Sequence, residues 1–242
     1  MAGKRPDPRV SAQVPIWELQ ERGERGPKPK RSRAAIAAAA VRLADAEGID
    51  AVTMRRMAAE LGMGTMSLYN YVPTKEHLVQ LMIDEVAREY AYPHSPPRDK
   101  RSAIADLARQ GRDITQRHSW LPTVMHRPPA IGPNAMRYVD YFLGLLADSA
   151  LDTGAKMEVV ALVNGFGLMY GGMQATLAEE RKRTGVTEQE QAAVQVNSLL
   201  QAAASGAYPN LAAALAAESP RRDADDIFES CVMLLVDGAL AG

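Results

Sequence analysis

Between Thr53 and Pro73 the chain has no room for any helix longer than about two turns, because Gly62-Met63-Gly64 interrupts it and Pro73 ends it. Met54, Met57, Ala58 and Leu61 give the first short segment a narrow apolar face, and Thr53 is placed to cap it. In the second segment, which Thr65 can cap, Leu68 is the anchor. Neither segment buries enough surface to persist alone, so each must be braced by the other and by longer neighbours. Ala58 is small where two axes must cross, and Gly62 permits the tight connection, which gives a helix-turn-helix.

The bracing elements are legible on both sides. Ile36, Ala40, Leu43 and Ala44 recur at helical spacing over Arg33–Glu47, with Gly48 as the stop. After Thr74, a further cap, Leu78, Leu81, Met82 and Val86 line one face of a helix running from Lys75 to about Tyr90. The breaker run Pro93–Pro97 then marks a boundary, or a hinge within one helical body. Downstream, helical patterns run over residues 99–116, 134–150, 156–177, 188–203, 211–217 and 223–240, with Pro133 suited to a first turn and a short helix plus loop over 119–132. The expected fold is all-α, with nine or ten helices. Aromatic residues make up only 5% of the chain, against the content of a β-sandwich or barrel. The expected organisation is a basic arm over 1–32, a helix-turn-helix domain over 33–92 and a larger helical domain over 98–242.

Net charge is -1, but its distribution is uneven. Residues 1–33 carry nine basic and four acidic side chains, a basic arm on a mildly acidic body, as expected of a chain that meets polyphosphate or of a solvated tail. The single cysteine, Cys231, excludes an internal disulfide and a multi-thiolate zinc site. The longest apolar stretch, 159–177, is broken by Asn164, Gln174, Thr176 and four glycines, so no membrane span is expected. A cytoplasmic location follows as the expectation. No phosphate loop, nucleophile elbow or paired zinc motif is present, which argues against an enzyme. His118 and His126, eight apart with a proline between, make a poor metal pair, and no metal or cofactor is expected.

The exposed remainder of the second short helix, Thr65, Met66, Ser67, Tyr69, Asn70 and Tyr71, has little structural use and much recognition use. The run from Leu61-Gly62-Met63-Gly64 through Leu68-Tyr69-Asn70-Tyr71-Val72-Pro73-Thr74-Lys75 to Leu78 resembles the signature of the tetracycline-repressor (TetR) family, as does 48–58. The resemblance implies that Arg55, Thr65, Met66, Ser67, Asn70 and Tyr71 face the major groove of double-stranded DNA, with Thr53, Tyr69 and Lys75 at phosphates. Lys75 can neutralise a phosphate, Asn70 can pair with an adenine edge, and Met66 can touch a thymine methyl. Arg33, with Lys28, Lys30 and Arg31, can enter the minor groove, lie along the backbone or add only non-specific attraction.

The segments 118–121, 127–128, 132–134, 164–166 and 226–238 resemble the C-terminal domain of the tetracycline-repressor branch, which implies a ligand-binding and dimerisation domain. Trp120, Tyr138, Tyr141, Asn164, Met169 and Met173 are candidates to line a cavity for a small-molecule effector. Gly167 and Gly171 permit close helix approach, and Val232, Leu235, Val236 and Leu240 offer apolar contact, for a dimer surface or for core. The implied function is a homodimeric repressor released from a palindromic operator by that effector. The alternatives are an activator or a ligand-independent helical adaptor of the same fold.

Overall fold

A computed structural model describes residues 14–19, 32–93, 95, 97–125, 131–217 and 222–240. Most of the expected basic arm, including Lys28, Lys30 and Arg31, lies outside them, as do His126 and the Arg127-Pro128 pair. The described residues form eleven α-helices and two short 3-10 turns, with no strand among them.

Local chemistry sets the ends of the first four helices. Helix α1 spans Arg33–Glu47 and starts on the Ser32 hydroxyl, which accepts from the Ala35 N–H at 3.2 Å. Thr53 caps α2 (Met54–Glu60) by accepting from the Arg56 N–H. Gly62, at φ +62°, makes the left-handed turn into α3 (Thr65–Tyr71). Here the expected cap is wrong by one position. Gly64 is the N-cap, and Thr65 is already helical. Thr74 caps α4 (Lys75–Ala87), which ends at Arg88, short of Tyr90. Leu68 of α3 is fully buried among Met57, Ala58 and Leu61 in the apolar cluster under α1–α4, so the two short helices are braced as their sequences require.

The rest of the chain is a helical bundle. It comprises α5 (Lys100–Arg117), α6 (Leu121–Val124), α7 (Pro133–Leu145), α8 (Thr153–Thr184), α9 (Glu188–Ala204), α10 (Pro209–Ala216) and α11 (Ala224–Leu240). Asp99 caps α5, and Pro133 opens α7. Helix α8 outruns its apolar stretch by two turns, carrying Arg181, Lys182 and Arg183 at its negative end, where the helix dipole favours cations. A second apolar cluster joins α5, α7, α8 and α11 around Phe142, Phe228 and Val163. The C-terminal end of α5 belongs to the first cluster instead, through Ile114, so α5 ties the two cores together.

Two glycines of α8 seat it on a neighbouring helix of the same chain. A Cβ on Gly167 would lie 2.7 Å from the Ala108 carbonyl oxygen, and one on Gly171 would lie 2.5 Å from that of Arg112. Both let α8 lie directly on the α5 backbone. Val232 and Val236 are likewise buried inside the second cluster. Four of the six residues expected at a dimer surface, Gly167, Gly171, Val232 and Val236, thus pack within this chain. Helices α9 and α10 pack mainly on each other, and neither contributes a buried residue.

Candidate functional site

Helix α3 presents its polar side outward. Of its seven residues only Leu68 is buried, whereas Met66 is 72% exposed and Tyr69 41% exposed, beside exposed Ser67 and Asn70. Thr65 is half-buried, and Tyr71 turns partly back onto the core of α1–α4. Arg55, at the start of α2, and Lys75, at the start of α4, stand exposed. Exposed Thr53 already uses its hydroxyl as the α2 cap. Amide, hydroxyl, thioether and cationic groups thus share the surface around one protruding two-turn helix.

Arg33 does not belong to that surface. Its Nε donates to the Tyr71 carbonyl at 3.0 Å, and its Nη1 donates to the carbonyls of Ile16 and Leu19 at 2.9 and 2.8 Å. Main-chain acceptors thus hold the guanidinium that the sequence offered as a DNA contact. They come from segments 14 to 38 residues away, which spacing along α1 does not reveal.

A second feature lies where α4 ends. A cleft of about 640 Å³ is lined by Tyr92, Ser102, Asp106, Leu107, Arg109, Gln110 and Tyr141, among others. Behind it the rings of Tyr90 and Tyr138 approach to 4.5 Å, those of Tyr92 and Tyr141 to 4.9 Å, and the Tyr90 hydroxyl donates to Asn164 at 3.2 Å. The hydroxyls of Tyr92 and Tyr138 are buried without a hydrogen-bond partner. Burial pushes the Tyr92 phenol up to about 12 and those of Tyr90 and Tyr138 well above their ordinary value, so all three stay neutral donors. Unmet donors beside an open cleft are what a ligand oxygen can satisfy.

Of the six expected lining residues, Tyr138, Tyr141 and Asn164 belong to this tyrosine cluster. The others do not. Trp120 is buried at the junction of the two cores, where its indole N–H donates to Asp45. Met169 and Met173 face outward, Met173 at the rim of a separate shallow hollow, because α8 turns its small residues rather than its methionines to α5. Tyr90, Tyr92, Asp106, Arg109 and Gln110 were missed. A tyrosine pair two apart, just before a breaker run, was the available signal.

The junction holds a polar cluster in which His118 is buried and its carboxylate partners reach the surface. His118 places Nδ1 2.8 Å from Asp45 Oδ1 on α1 and Nε2 2.8 Å from Glu89 Oε1 beyond α4. Arg117 also bonds Glu89, at 2.6 Å. Burial works to raise the Glu89 carboxyl, but hydrogen bonds from Arg117 and His118 outweigh it and hold the group below its usual range. No described helix is long and apolar enough to cross a membrane.

Comparison with known proteins agrees with this geometry. The chain is 38% identical over 202 residues to the HTH-type transcriptional repressor DrrR1 of Streptomyces coeruleorubidus, covering 81% of this chain and 73% of the relative. Among solved structures, apo ActR from Streptomyces coelicolor superposes with a TM-score of 0.70 at 28% identity, covering 88% of this chain and 98% of ActR. ActR in complex with actinorhodin gives 0.68 at 28% identity, covering 88% and 99%. Residues 36–82 match the family described as bacterial regulatory proteins, tetR family, and residues 92–241 match the tetracyclin repressor-like C-terminal domain. The chain therefore belongs to the TetR family of transcriptional regulators.

Proposed function

We propose that this chain is a homodimeric repressor that grips a near-palindromic operator with α3 and lets go when a small molecule enters the tyrosine cleft. The observation that carries the DNA half is the exposure of Met66, Ser67, Tyr69 and Asn70 on a helix whose one buried side chain is Leu68. Within the proposal, Asn70 and Met66 read bases, Thr65, Ser67, Arg55 and Tyr71 add groove contacts, and Thr53, Tyr69 and Lys75 meet phosphates. Two copies of α3 about 34 Å apart fit successive major grooves on one face of the duplex.

The dimer reading rests on the outer sides of α8 and α11. Leu162 is 59% exposed and Leu234 73% exposed, and with Leu235 they border an apolar groove of about 340 Å³. Leu240 is also exposed, four residues beyond the buried Val236. The effector reading rests on the unmet hydroxyls of Tyr92 and Tyr138, and is supported by the likeness to ActR, which was solved with actinorhodin.

Selection from random duplexes by the purified protein tests the DNA half. A near-palindrome whose half-sites repeat at about one helical turn is expected, and enrichment of no sequence overturns it. A thermal-shift screen of aromatic small molecules tests the effector half. Binders should raise the melting temperature of the wild type, lose effect in Tyr92→Phe or Tyr141→Ala, and weaken operator binding.

A further inference from the structure

The short segment 14–19 is tied into both halves of the molecule. Ile16 is fully buried under α1–α4, and its N–H donates to Gln80 Oε1 on α4 at 3.0 Å. The Val14 carbonyl accepts from His77 Nε2 at 2.9 Å. Arg33 then bridges three carbonyls, those of Ile16 and Leu19 in the segment and that of Tyr71, the last residue of α3. A cation at the C-terminal end of a helix is also favoured by the helix dipole.

The neighbouring residue, Trp17, reaches the other way. A Cβ on Gly132, the cap residue of α7, would collide with both the Trp17 ring and the Asp84 carboxylate. Asp84 of α4 is buried and accepts from the backbone N–H groups of Asn134 and Ala135 at 2.9 and 3.1 Å and from Asn134 Nδ2 at 2.9 Å. The first turn of α7 is therefore fastened to α4 where Trp17 is wedged. The indole N–H of Trp17 is buried with no acceptor, so ring packing alone seats it. Nothing polar holds the Trp17 ring against a shift of Gly132.

We propose that residues 14–19 form a strap that carries the position of α7 to the recognition helix, with Trp17 as its sensing end and Arg33 as the positioning residue that fixes the end of α3. Helix α7 brings Tyr141 to the cleft and Tyr138 behind it, so a ligand there acts on the same helix that Trp17 touches. In that respect the inference rests on the proposed function. The strap itself is a property of the free protein.

Hydrogen–deuterium exchange on the full chain tests it without DNA or effector. In Trp17→Ala, exchange should rise about tenfold in the first turn of α7 and in residues 67–72 of α3, with α2 unchanged. In Arg33→Lys, which keeps the charge but cannot span three carbonyls, the rise should occur in α3 and not in α7. An equal rise in α2 and α3, or a rise in α7 with α3 unmoved, overturns the strap. Operator fragments selected by the wild type give a second reading. Arg33→Gln, which removes the charge, should weaken binding with the salt dependence unchanged, and a slope reduced by about 0.9 overturns the positioning role by placing Arg33 on a phosphate. If the wild type selects no DNA, the repressor reading fails while the exchange experiment still decides the strap.

Discussion

At the scale of single residues, the same type of side chain does opposite work depending on what faces it. Lys75 stands exposed beside α3, whereas Arg33 is consumed by three carbonyls. Lys75→Met is expected to lower the slope of log affinity against log salt by about 0.9, the loss of one neutralised phosphate. Titration of the selected operator at several salt concentrations checks it. Glycines divide in the same way. Gly171→Ala forces a Cβ into the Arg112 carbonyl of a backbone that cannot retreat, at a cost of about 1–3 kcal/mol. Gly144→Ala meets nothing within 4 Å and should be neutral or stabilise by up to about 1 kcal/mol. Urea unfolding of the two variants against wild type checks the contrast. That Gly167 and Gly171 allow close approach was legible in the sequence. Which helix comes close was not, since Ala108 and Arg112 lie some 60 residues away and nothing local points to them.

At the scale of elements, boundaries were legible where a cap is written in adjacent residues, as with Thr53 and Thr74, although Thr65 misled by one position. They were misjudged where stability comes from elsewhere. Helix α8 runs through a polar segment that apolar periodicity had closed at 177, and α4 stops before Tyr90 because that ring turns to pack on Tyr138. The junction of α1, α4 and α5 was not legible at all, because Asp45, Glu89 and His118 meet only in three dimensions. A carboxylate oxygen only accepts, so both His118 bonds form together only when each ring nitrogen carries a proton. His118→Ala removes a buried donor to two carboxylates and is expected to cost about 1–3 kcal/mol. Glu89 adds a pH dependence of fixed sign. Because its folded carboxyl lies below the usual 4.5, its contribution is present above that value and is lost as pH falls through the lowered one. Urea midpoints measured from pH 6 down to pH 3 should fall less steeply for Glu89→Gln than for wild type, and equal slopes would remove Glu89 from the acid response.

At the scale of the whole molecule, one subunit leaves two apolar regions uncovered: the outer side of α8 and α11, and the α9–α10 hairpin, where Val194 is 67% exposed. Exposed leucines scattered singly are ordinary on a protein surface, but Leu162, Leu234 and Leu235 share one groove rim, so they present a patch. In the proposed dimer, a second copy related by a two-fold axis would meet this patch with its own equivalent and cover both at once. Leu234→Glu places a charge at the most exposed point of the patch without touching Val232 or Val236, which face inward. The variant should keep its helical content and lose the dimer in sedimentation at micromolar concentration. Operator affinity should then fall far more than for loss of a single base contact, which is worth about 1–3 kcal/mol, because the second α3 is no longer delivered to its half-site. A Leu234→Glu protein that still sediments as a dimer would move the interface to the α9–α10 hairpin, where Leu199→Glu is the matching test.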